Sequence, residues 1–274
     1  MAQFTTTDGL KLHYTDDGAG LPLVCLAGLT RTGRDFDYVR PHLPPCRIIT
    51  LDARGRGQSD FDPKWQNYTL PIEMRDVLEL LDHLSLDAVA ILGTSRGGLI
   101  AMGLAATTPD RVLGAALNDV GPEIAPEGLA AIAAYLGLSP VPRTHEQMAD
   151  ALAATLPGFS DVPRDRWLAE ARLHYVETAS GLEITYDPHL RDATLAAMQA
   201  GTPDLWPLFD ALTGKPTCLI RGAGSNLLAA ATAAEMQRRR PDMIFADVPG
   251  RGHVPFLDEP EAVAALTTWM EQMR

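Results

Sequence analysis

The segment Gly93-Thr94-Ser95-Arg96-Gly97-Gly98 has the form G-x-S-x-G, in which one serine stands between two glycines. It follows an apolar run at residues 88–92 and precedes a run of small and apolar residues that ends at Thr107. A strand, a sharp turn and a helix form the context in which this motif exposes a nucleophilic serine. The glycines are needed because so tight a turn leaves no room for side chains at their positions. The pattern therefore predicts that Ser95 attacks a carbonyl from a helix N-terminus, where free amides favour negative charge.

A serine hydroxyl is a weak nucleophile until a base removes its proton. Among the seven histidines, His253 has the most suitable context, because it lies in a glycine-flanked loop after the last strand-like run. An exposed imidazole in such a loop can exchange protons near neutral pH, although a solvated loop histidine is the other interpretation. The remaining histidines and the three cysteines show no ligand spacing, so we predict neither a metal site nor a bound cofactor.

Short apolar runs that resemble buried strands alternate with helical stretches along the chain. The strand-like runs are residues 22–27, 47–51, 88–92, 111–117, 217–220 and 243–248. The helical stretches that accompany them are residues 69–84, 97–107, 229–239 and 260–273. This alternation predicts an α/β protein whose mostly parallel, doubly wound sheet is covered by helices on both faces.

The alternation stops between residues 121 and 216, where helical patterns follow one another without a convincing central strand. The predicted helices of this segment are 124–137, 146–156, 164–177 and 190–200. We interpret residues 121–216 as an inserted helical cap, or lid, on a core formed by residues 1–120 and 217–274. A cap over one end of a sheet commonly shapes a substrate pocket. A helical ornament without substrate contact is the alternative.

The order of four motifs resembles the α/β-hydrolase fold family, and the resemblance extends over nearly the whole chain. Two of the motifs are the serine turn and the histidine loop Pro249-Gly250-Arg251-Gly252-His253. Leu26-Ala27-Gly28-Leu29 is similar to the oxyanion loop of that family, although Ala27 stands where a histidine is commonest. The segment from Leu51 to Asp60 resembles the structural loop that follows the next strand.

The resemblance implies a capped serine hydrolase of the esterase or lactonase class. Ser95 would form an acyl-enzyme, and His253 would first accept and then donate the proton. The backbone N–H groups of Leu29 and Arg96 would bind the oxyanion, and water would release the acyl group.

The acid that orients His253 is where the sequence departs from the family pattern. Similar sequences carry an aspartate in the loop after the strand at residues 217–220, but this chain has Asn226 there. An amide cannot stabilise an imidazolium and can favour the wrong histidine tautomer. We prefer the interpretation that Asn226 is an inactivating substitution at the acid position, so that Asn226→Asp would raise turnover. Two alternatives are that Asn226 is a natural, weak orienting group, or that the acid is Asp119 at the preceding strand end, which could also simply cap a turn.

Several residues could contact a substrate. Arg31 follows the oxyanion loop and Arg96 follows the serine, so two guanidinium groups could receive a carboxylate or polar ring. Pairing of each arginine with a protein carboxylate is as well supported in so acidic a chain. Four residues of the cap suggest a partly aromatic pocket roof, although helical spacing also suits a core: Trp167, His174, Tyr175 and Trp206.

Composition limits the partners. The 274 residues carry a formal net charge of −12, which repels nucleic acid and anionic membranes. No apolar run is long enough for a leader or a membrane span, so a cytoplasmic protein with a small-molecule substrate is expected.

Three hypotheses for the function remain: hydrolysis of an ester or lactone, hydrolysis of a carbon–carbon bond in a diketone, and a non-catalytic receptor of the same fold.

Overall fold

An eight-stranded sheet forms the centre of the protein, for which a computed structural model describes residues 2–201 and 203–274. In chain order the strands are β1 (Ala2–Thr5), β2 (Lys11–Gly18), β3 (Pro22–Leu26), β4 (Arg47–Leu51), β5 (Val89–Thr94), β6 (Val112–Asn118), the separate hairpin β7 (Tyr175–Thr178) and β8 (Gly181–Ile184), then β9 (Thr217–Gly222) and β10 (Ile244–Val248). The order across the large sheet is β1-β2-β4-β3-β5-β6-β9-β10. From β4 to β10 all neighbours are parallel, so the predicted α/β class with a mostly parallel sheet is confirmed.

The first two strands of the chain were not predicted. They pair antiparallel with each other, and β2 pairs antiparallel with β4. The sequence of β2, KLHYTDDG, is mostly polar, and its second half is largely exposed. A strand near a sheet edge needs no continuous apolar run, so β2 lacks the sequence pattern of a buried strand.

Helices cover both faces of the sheet, as predicted. The α-helices are α1 (Leu70–His83), α2 (Arg96–Thr107), α3 (Pro126–Tyr135), α4 (His145–Thr155), α5 (Arg164–His174), α6 (Leu190–Ala200), α7 (Trp206–Asp210), α8 (Ala230–Arg239) and α9 (Pro260–Glu271). One core cluster lies under α1, α2 and α8 and includes Leu80, Ile100 and Met236. A second cluster lies on the opposite face under α9 and includes Trp269. None of the helices described is long and apolar enough to cross a membrane.

The segment between β6 and β9 contains α3 to α7 and the small hairpin. The predicted helix 164–177 ends at His174, because the chain continues directly into β7. The insertion contacts loops that follow the sheet strands: Gly158 packs against Gly224 after β9, and the Phe159 ring against Gly252 after β10. The carboxyl ends of parallel strands are where α/β proteins usually place their ligand sites. The role of the insertion as a cap stays a prediction.

Candidate active site

Ser95 lies at the sharp turn between β5 and α2. Its backbone has φ 50° and ψ −114°, a conformation that L-residues rarely adopt and that often marks a functional site. A side chain on Gly97 would place its Cβ 2.0 Å from the carbonyl oxygen of Leu26, and one on Gly93 would collide with the backbone of Gly97. Both glycines of the motif are therefore required for the turn that presents the serine at the N-terminus of α2.

Ser95, His253 and Asp119 form a hydrogen-bonded chain. Nε2 of His253 lies 3.0 Å from Oγ of Ser95, and Nδ1 of His253 lies 2.7 Å from Oδ2 of Asp119. A carboxylate accepts hydrogen bonds, so Nδ1 carries the proton and Nε2 is free to accept the serine proton. This arrangement can activate a nucleophile and stabilise the imidazolium that forms.

Asn118 joins the elements that carry these three residues. Its amide donates to Oγ1 of Thr94, at the end of β5, and to the carbonyl oxygen of Pro255, in the loop that carries His253, each at 3.2 Å. The backbone N–H of Ser95 in turn donates to the Asn118 carbonyl at 2.9 Å. The serine turn, the end of β6 and the histidine loop are thus tied together at one buried residue.

Asp119 is fully buried immediately after β6, and its carboxylate is held from three sides. Oδ1 accepts the backbone N–H of Gly222 at 2.8 Å, and Oδ2 accepts the hydroxyl of Ser225 at 2.6 Å as well as the His253 ring. Asp119 is therefore fixed in position for orienting an imidazole.

The preference for Asn226 as the acid is corrected by this geometry. Among residues 2–201 and 203–274, the side chain of Asn226 makes no hydrogen bond with His253, and Asp119 occupies the place beside Nδ1. The loop after β9 turns so that Ser225 faces the carboxylate, because the Ser225 hydroxyl also accepts the N–H groups of Leu227 and Leu228. Because β6 and β9 are neighbours, both strand ends lie close to the histidine, but the carboxylate comes from β6.

The backbone N–H groups expected to bind an oxyanion are available. Within the part of the chain that the structure describes, neither Leu29 nor Arg96 uses its N–H in a hydrogen bond. Gly28, which precedes Leu29, lies beside the serine, since a Cβ on Gly28 would stand 3.8 Å from Cβ of Ser95. Arg56 holds the loop from behind, because its Nε donates to the Leu29 carbonyl at 2.8 Å.

Glu73 on α1 connects both sides of this candidate oxyanion site. Its Oε1 accepts from Arg56 at 2.7 Å, and its Oε2 accepts from Nε of Arg96 at 2.5 Å. Burial alone would raise the pKa of Glu73, but the two guanidinium groups outweigh it and hold that pKa below its usual value. The Arg96 side chain is thus paired with a protein carboxylate, and the expectation that it receives a substrate group is not supported.

Arg31 and His174 meet where the insertion contacts the core. The Arg31 guanidinium donates through Nη1 to Nδ1 of His174, and Nε2 of His174 lies 2.8 Å from Oδ1 of Asp35. Glu170, one turn earlier on α5, has Oε2 3.7 Å from Nδ1 of His174. Neither Asp35 nor Glu170 was anticipated, because only the tertiary fold brings residues about 140 positions apart together.

The three aromatic residues expected in the pocket roof have different surroundings. Trp167 is buried in a ring cluster, with centroids 5.3 Å from Phe159 and 5.9 Å from Phe256. Tyr175 is half-buried at the start of β7, and burial raises its pKa.

Trp206 is oriented away from this region. Its Nε1 donates to Glu123 at 2.9 Å, and the Arg239 guanidinium lies 3.9 Å from its ring centroid. Glu123 precedes α3 and Arg239 ends α8. The prediction that Trp206 lines the pocket is therefore not supported.

Comparison with known proteins agrees with this architecture. The sequence pattern described as "Alpha/beta hydrolase family" matches residues 23–266. A curated protein of Cupriavidus necator, "3-hydroxybutyrate-oligomer hydrolase", is 39% identical over 251 residues, which are 88% of this chain and 85% of the relative. A "2-(acetamidomethylene)succinate hydrolase" of Mesorhizobium japonicum is 28% identical and aligns with 96% of this chain and 92% of its own length. A crystal structure of an alpha/beta hydrolase from Novosphingobium aromaticivorans superposes with a TM-score of 0.90 at 37% identity, covering 99% of this chain and 97% of that chain.

Proposed function

The chain belongs to the alpha/beta hydrolase family, and from this premise we propose that it is a serine hydrolase that cleaves an ester bond of a small molecule. The observation that carries the proposal is the hydrogen-bonded chain from Ser95 through His253 to Asp119. A protein that only binds a small molecule has no physical need for this arrangement beside two unoccupied backbone N–H groups. The relative named "3-hydroxybutyrate-oligomer hydrolase", at 39% identity, supports an ester substrate over a lactone or a diketone, because hydroxy acid units join through ester bonds.

In the first half of the proposed reaction, Oγ of Ser95 attacks the ester carbonyl while Nε2 of His253 takes its proton. Asp119, hydrogen-bonded to Nδ1, stabilises the resulting imidazolium without itself becoming protonated. The N–H groups of Leu29 and Arg96 bind the oxygen that becomes negative. The imidazolium then protonates the leaving alcohol, and an acyl-enzyme on Ser95 remains.

Water completes the cycle. His253 removes a proton from a water molecule that attacks the acyl carbon, and the same pair of N–H groups binds the second oxyanion. Collapse of this intermediate returns the proton to Ser95 and releases the carboxylic acid. We further propose that residues 121–216 act as a cap that limits access of water and selects the substrate.

The test combines covalent labelling with turnover. A fluorophosphonate should modify Ser95, as mapped by mass spectrometry, and short-chain aryl esters should be hydrolysed with release of the alcohol. Ser95→Ala should lose both reactions, whereas Ser85→Ala, at another serine with positive φ but in a turn after α1, should keep them. Labelling of other residues with Ser95 unmodified, or ester hydrolysis that survives in Ser95→Ala, would refute the assignment.

A further inference from the structure

We propose that Arg31 binds a carboxylate of the substrate, so that the preferred substrate is an ester that also carries a free carboxylate group. This inference rests on the proposed ester hydrolysis at Ser95 and adds the substrate class to it. It depends on three features of Arg31: a free hydrogen-bonding edge, a position beside Ser95, and a fixed orientation.

The first feature is an unoccupied edge of the guanidinium. Arg31 uses Nη1 for His174, and neither its Nε nor its Nη2 has an acceptor within residues 2–201 and 203–274. These two nitrogens form the side of a guanidinium that binds both oxygens of one carboxylate. In four other arginines of this chain the same edge is filled, because Nε and Nη2 together bind a carboxylate: Arg47 with Asp16, Arg54 with Asp76, Arg238 with Glu235 and Arg240 with Asp242.

The second feature is the position of the side chain. Arg31 and Ser95 both lie close to Gly28, because a Cβ on Gly28 would lie 3.4 Å from Cγ of Arg31 and 3.8 Å from Cβ of Ser95. The Arg31 N–H also donates to the Gly28 carbonyl at 3.1 Å, which closes a turn in the oxyanion loop. Arg31 therefore borders the space in which the reacting ester must lie, and a carboxylate on the same small molecule can reach it.

The third feature is the orientation of the guanidinium. A guanidinium has only donors, so Nδ1 of His174 must accept and Nε2 must carry the proton that faces Asp35. This chain, Asp35 to His174 to Arg31, fixes the arginine through one nitrogen and leaves the opposite edge open. A preorganised donor pair binds a carboxylate with less loss of side-chain entropy than a mobile one.

Glu170 is, with Asp35, an acidic group that could neutralise Arg31 instead of a ligand, since both carboxylates raise the pKa of Arg31. Oε1 of Glu170 is buried and has no hydrogen-bond partner, and no hydrogen bond joins either oxygen of Glu170 to Arg31 within the described ranges. Burial raises the pKa of Glu170, which favours its uncharged form. Asp35 is the opposite case, since His174 and Arg31 overcome the effect of burial and lower its pKa. The guanidinium of Arg31 thus keeps its open edge for a ligand, while the carboxylate of Asp35, which balances its charge, lies on the other side of the His174 ring.

If Arg31 only ties the insertion to the core, its substitution should weaken binding of charged and uncharged esters equally. We would compare two matched pairs of esters, each as the free acid and as the uncharged primary amide. One pair has the carboxylate on the acyl side, mono(p-nitrophenyl) adipate and its monoamide, and the other has it on the alcohol side, β-acetoxybutyrate and β-acetoxybutyramide. Binding to Ser95→Ala is measured by calorimetry, so the comparison does not depend on turnover.

With Arg31 present, we expect the acid of at least one pair to bind about ten- to a hundred-fold more tightly than its amide, the range for a charge-assisted pair. Arg31→Gln should remove this preference and leave binding of the amide nearly unchanged. Arg31→Lys, which keeps the charge without the two-nitrogen edge, should retain only part of it. Arg34→Gln is the matched control, because Arg34 is exposed and lies 3.8 Å from Asp37.

Equal binding of acid and amide in both pairs, or a preference that survives Arg31→Gln, would overturn the proposal. So would an Arg31→Gln variant that weakens binding of the acid and the amide equally, which is the signature of a structural tie. The proposed function is judged separately by turnover in the chain with Ser95 intact. A preference for the acid without hydrolysis of any ester would reject ester hydrolysis and retain the carboxylate site.

Discussion

Oδ2 of Asp119 lies 2.7 Å from Nδ1 of His253 although the two residues are 134 positions apart in the chain. The contact exists because β6 and β9 are parallel neighbours, and the histidine loop after β10 folds back over both strand ends. Asp119 has φ 56°, so its carboxylate leaves the strand in a turn that an ordinary residue would not adopt readily. The combination of burial, strained backbone and three hydrogen-bond donors is typical of a residue kept for function.

Asp119→Asn should reduce kcat by about four orders of magnitude, as expected when the orienting carboxylate of a serine hydrolase becomes an amide. Asparagine tolerates positive φ, so the backbone should survive the substitution. The loss should appear in kcat, because the charge on His253 develops only as the proton moves. Steady-state kinetics on an aryl ester provides the measurement, with circular dichroism to verify the fold.

Asn226→Asp is the matched comparison at the position first favoured from sequence. It should change kcat by less than about threefold, since a half-buried carboxylate that makes no hydrogen bond with the imidazole contributes little to catalysis. A strong increase in kcat with this variant, together with an active Asp119→Asn enzyme, would show that the acid belongs to the loop after β9.

Ser225→Ala tests whether the hydrogen bond from Ser225 to Asp119 contributes to stability and turnover. The hydroxyl donates to Oδ2 of Asp119 at 2.6 Å and accepts two backbone N–H groups of its own loop. We expect the free energy of unfolding to fall by about 1–3 kcal/mol, because buried partners lose their hydrogen bond. A lower kcat with nearly unchanged KM would distinguish a positioning role from a structural one, and Ser225→Thr should recover part of the activity. An unchanged kcat would limit Ser225 to holding the loop.

Glu73→Gln should weaken both stability and turnover. It leaves Arg56 and Arg96 without their shared anion, and breaking a buried ion pair on one side typically costs about 3–5 kcal/mol. Arg56 holds the Leu29 carbonyl, so displacement of the oxyanion loop should lower kcat as well. Urea unfolding and aryl ester kinetics measure the two effects. Glu79→Gln on the same helix, at an exposed contact with Thr7, should change the unfolding free energy by less than about 1 kcal/mol.

The sequence predicted the parts of the site that depend on local backbone geometry. Ser95 needs a turn, two glycines and a helix start, all of which lie within six consecutive residues. The six parallel strands of the large sheet and the helices that pack on them could be predicted for the same reason, since their apolar patterns repeat over short windows.

The choice of acid could not be made in this way. Asp119 and Asn226 both follow sheet strands, and only the course of the loop after β9 decides which side chain reaches His253. The pairing of Arg96 with Glu73, and the meeting of Arg31 with His174, likewise depend on packing between distant segments. Sequence indicated that these arginines were available for pairing, but the partner of each is set by the tertiary fold.

Glu170 provides the last prediction, which concerns pH. It is buried near His174, Arg31, Asp35 and Arg166, and burial, which exceeds the effects of these neighbours, raises its pKa above the usual 4.5. Between the ordinary value and the raised value, the folded state therefore binds more protons than the unfolded state. The contribution of this group to the free energy of unfolding is fully present below pH 4.5 and is lost as the pH rises through the folded pKa.

Glu170→Gln removes the loss of unfolding free energy that accompanies deprotonation of Glu170, and it keeps the shape of the side chain. The variant should gain stability relative to the parent as the pH rises from about 4 to 8, by about 1.4 kcal/mol for each unit of pKa difference. Urea unfolding at several pH values measures the gain, and Glu127→Gln, at an exposed position of α3, should show no comparable trend. A stability difference that is constant with pH, or a variant that loses stability at high pH, would mean that Glu170 is charged in the folded protein. Arg31 would then have a second counter-ion beside Asp35, and the open edge assigned to a substrate carboxylate would lose its electrostatic basis.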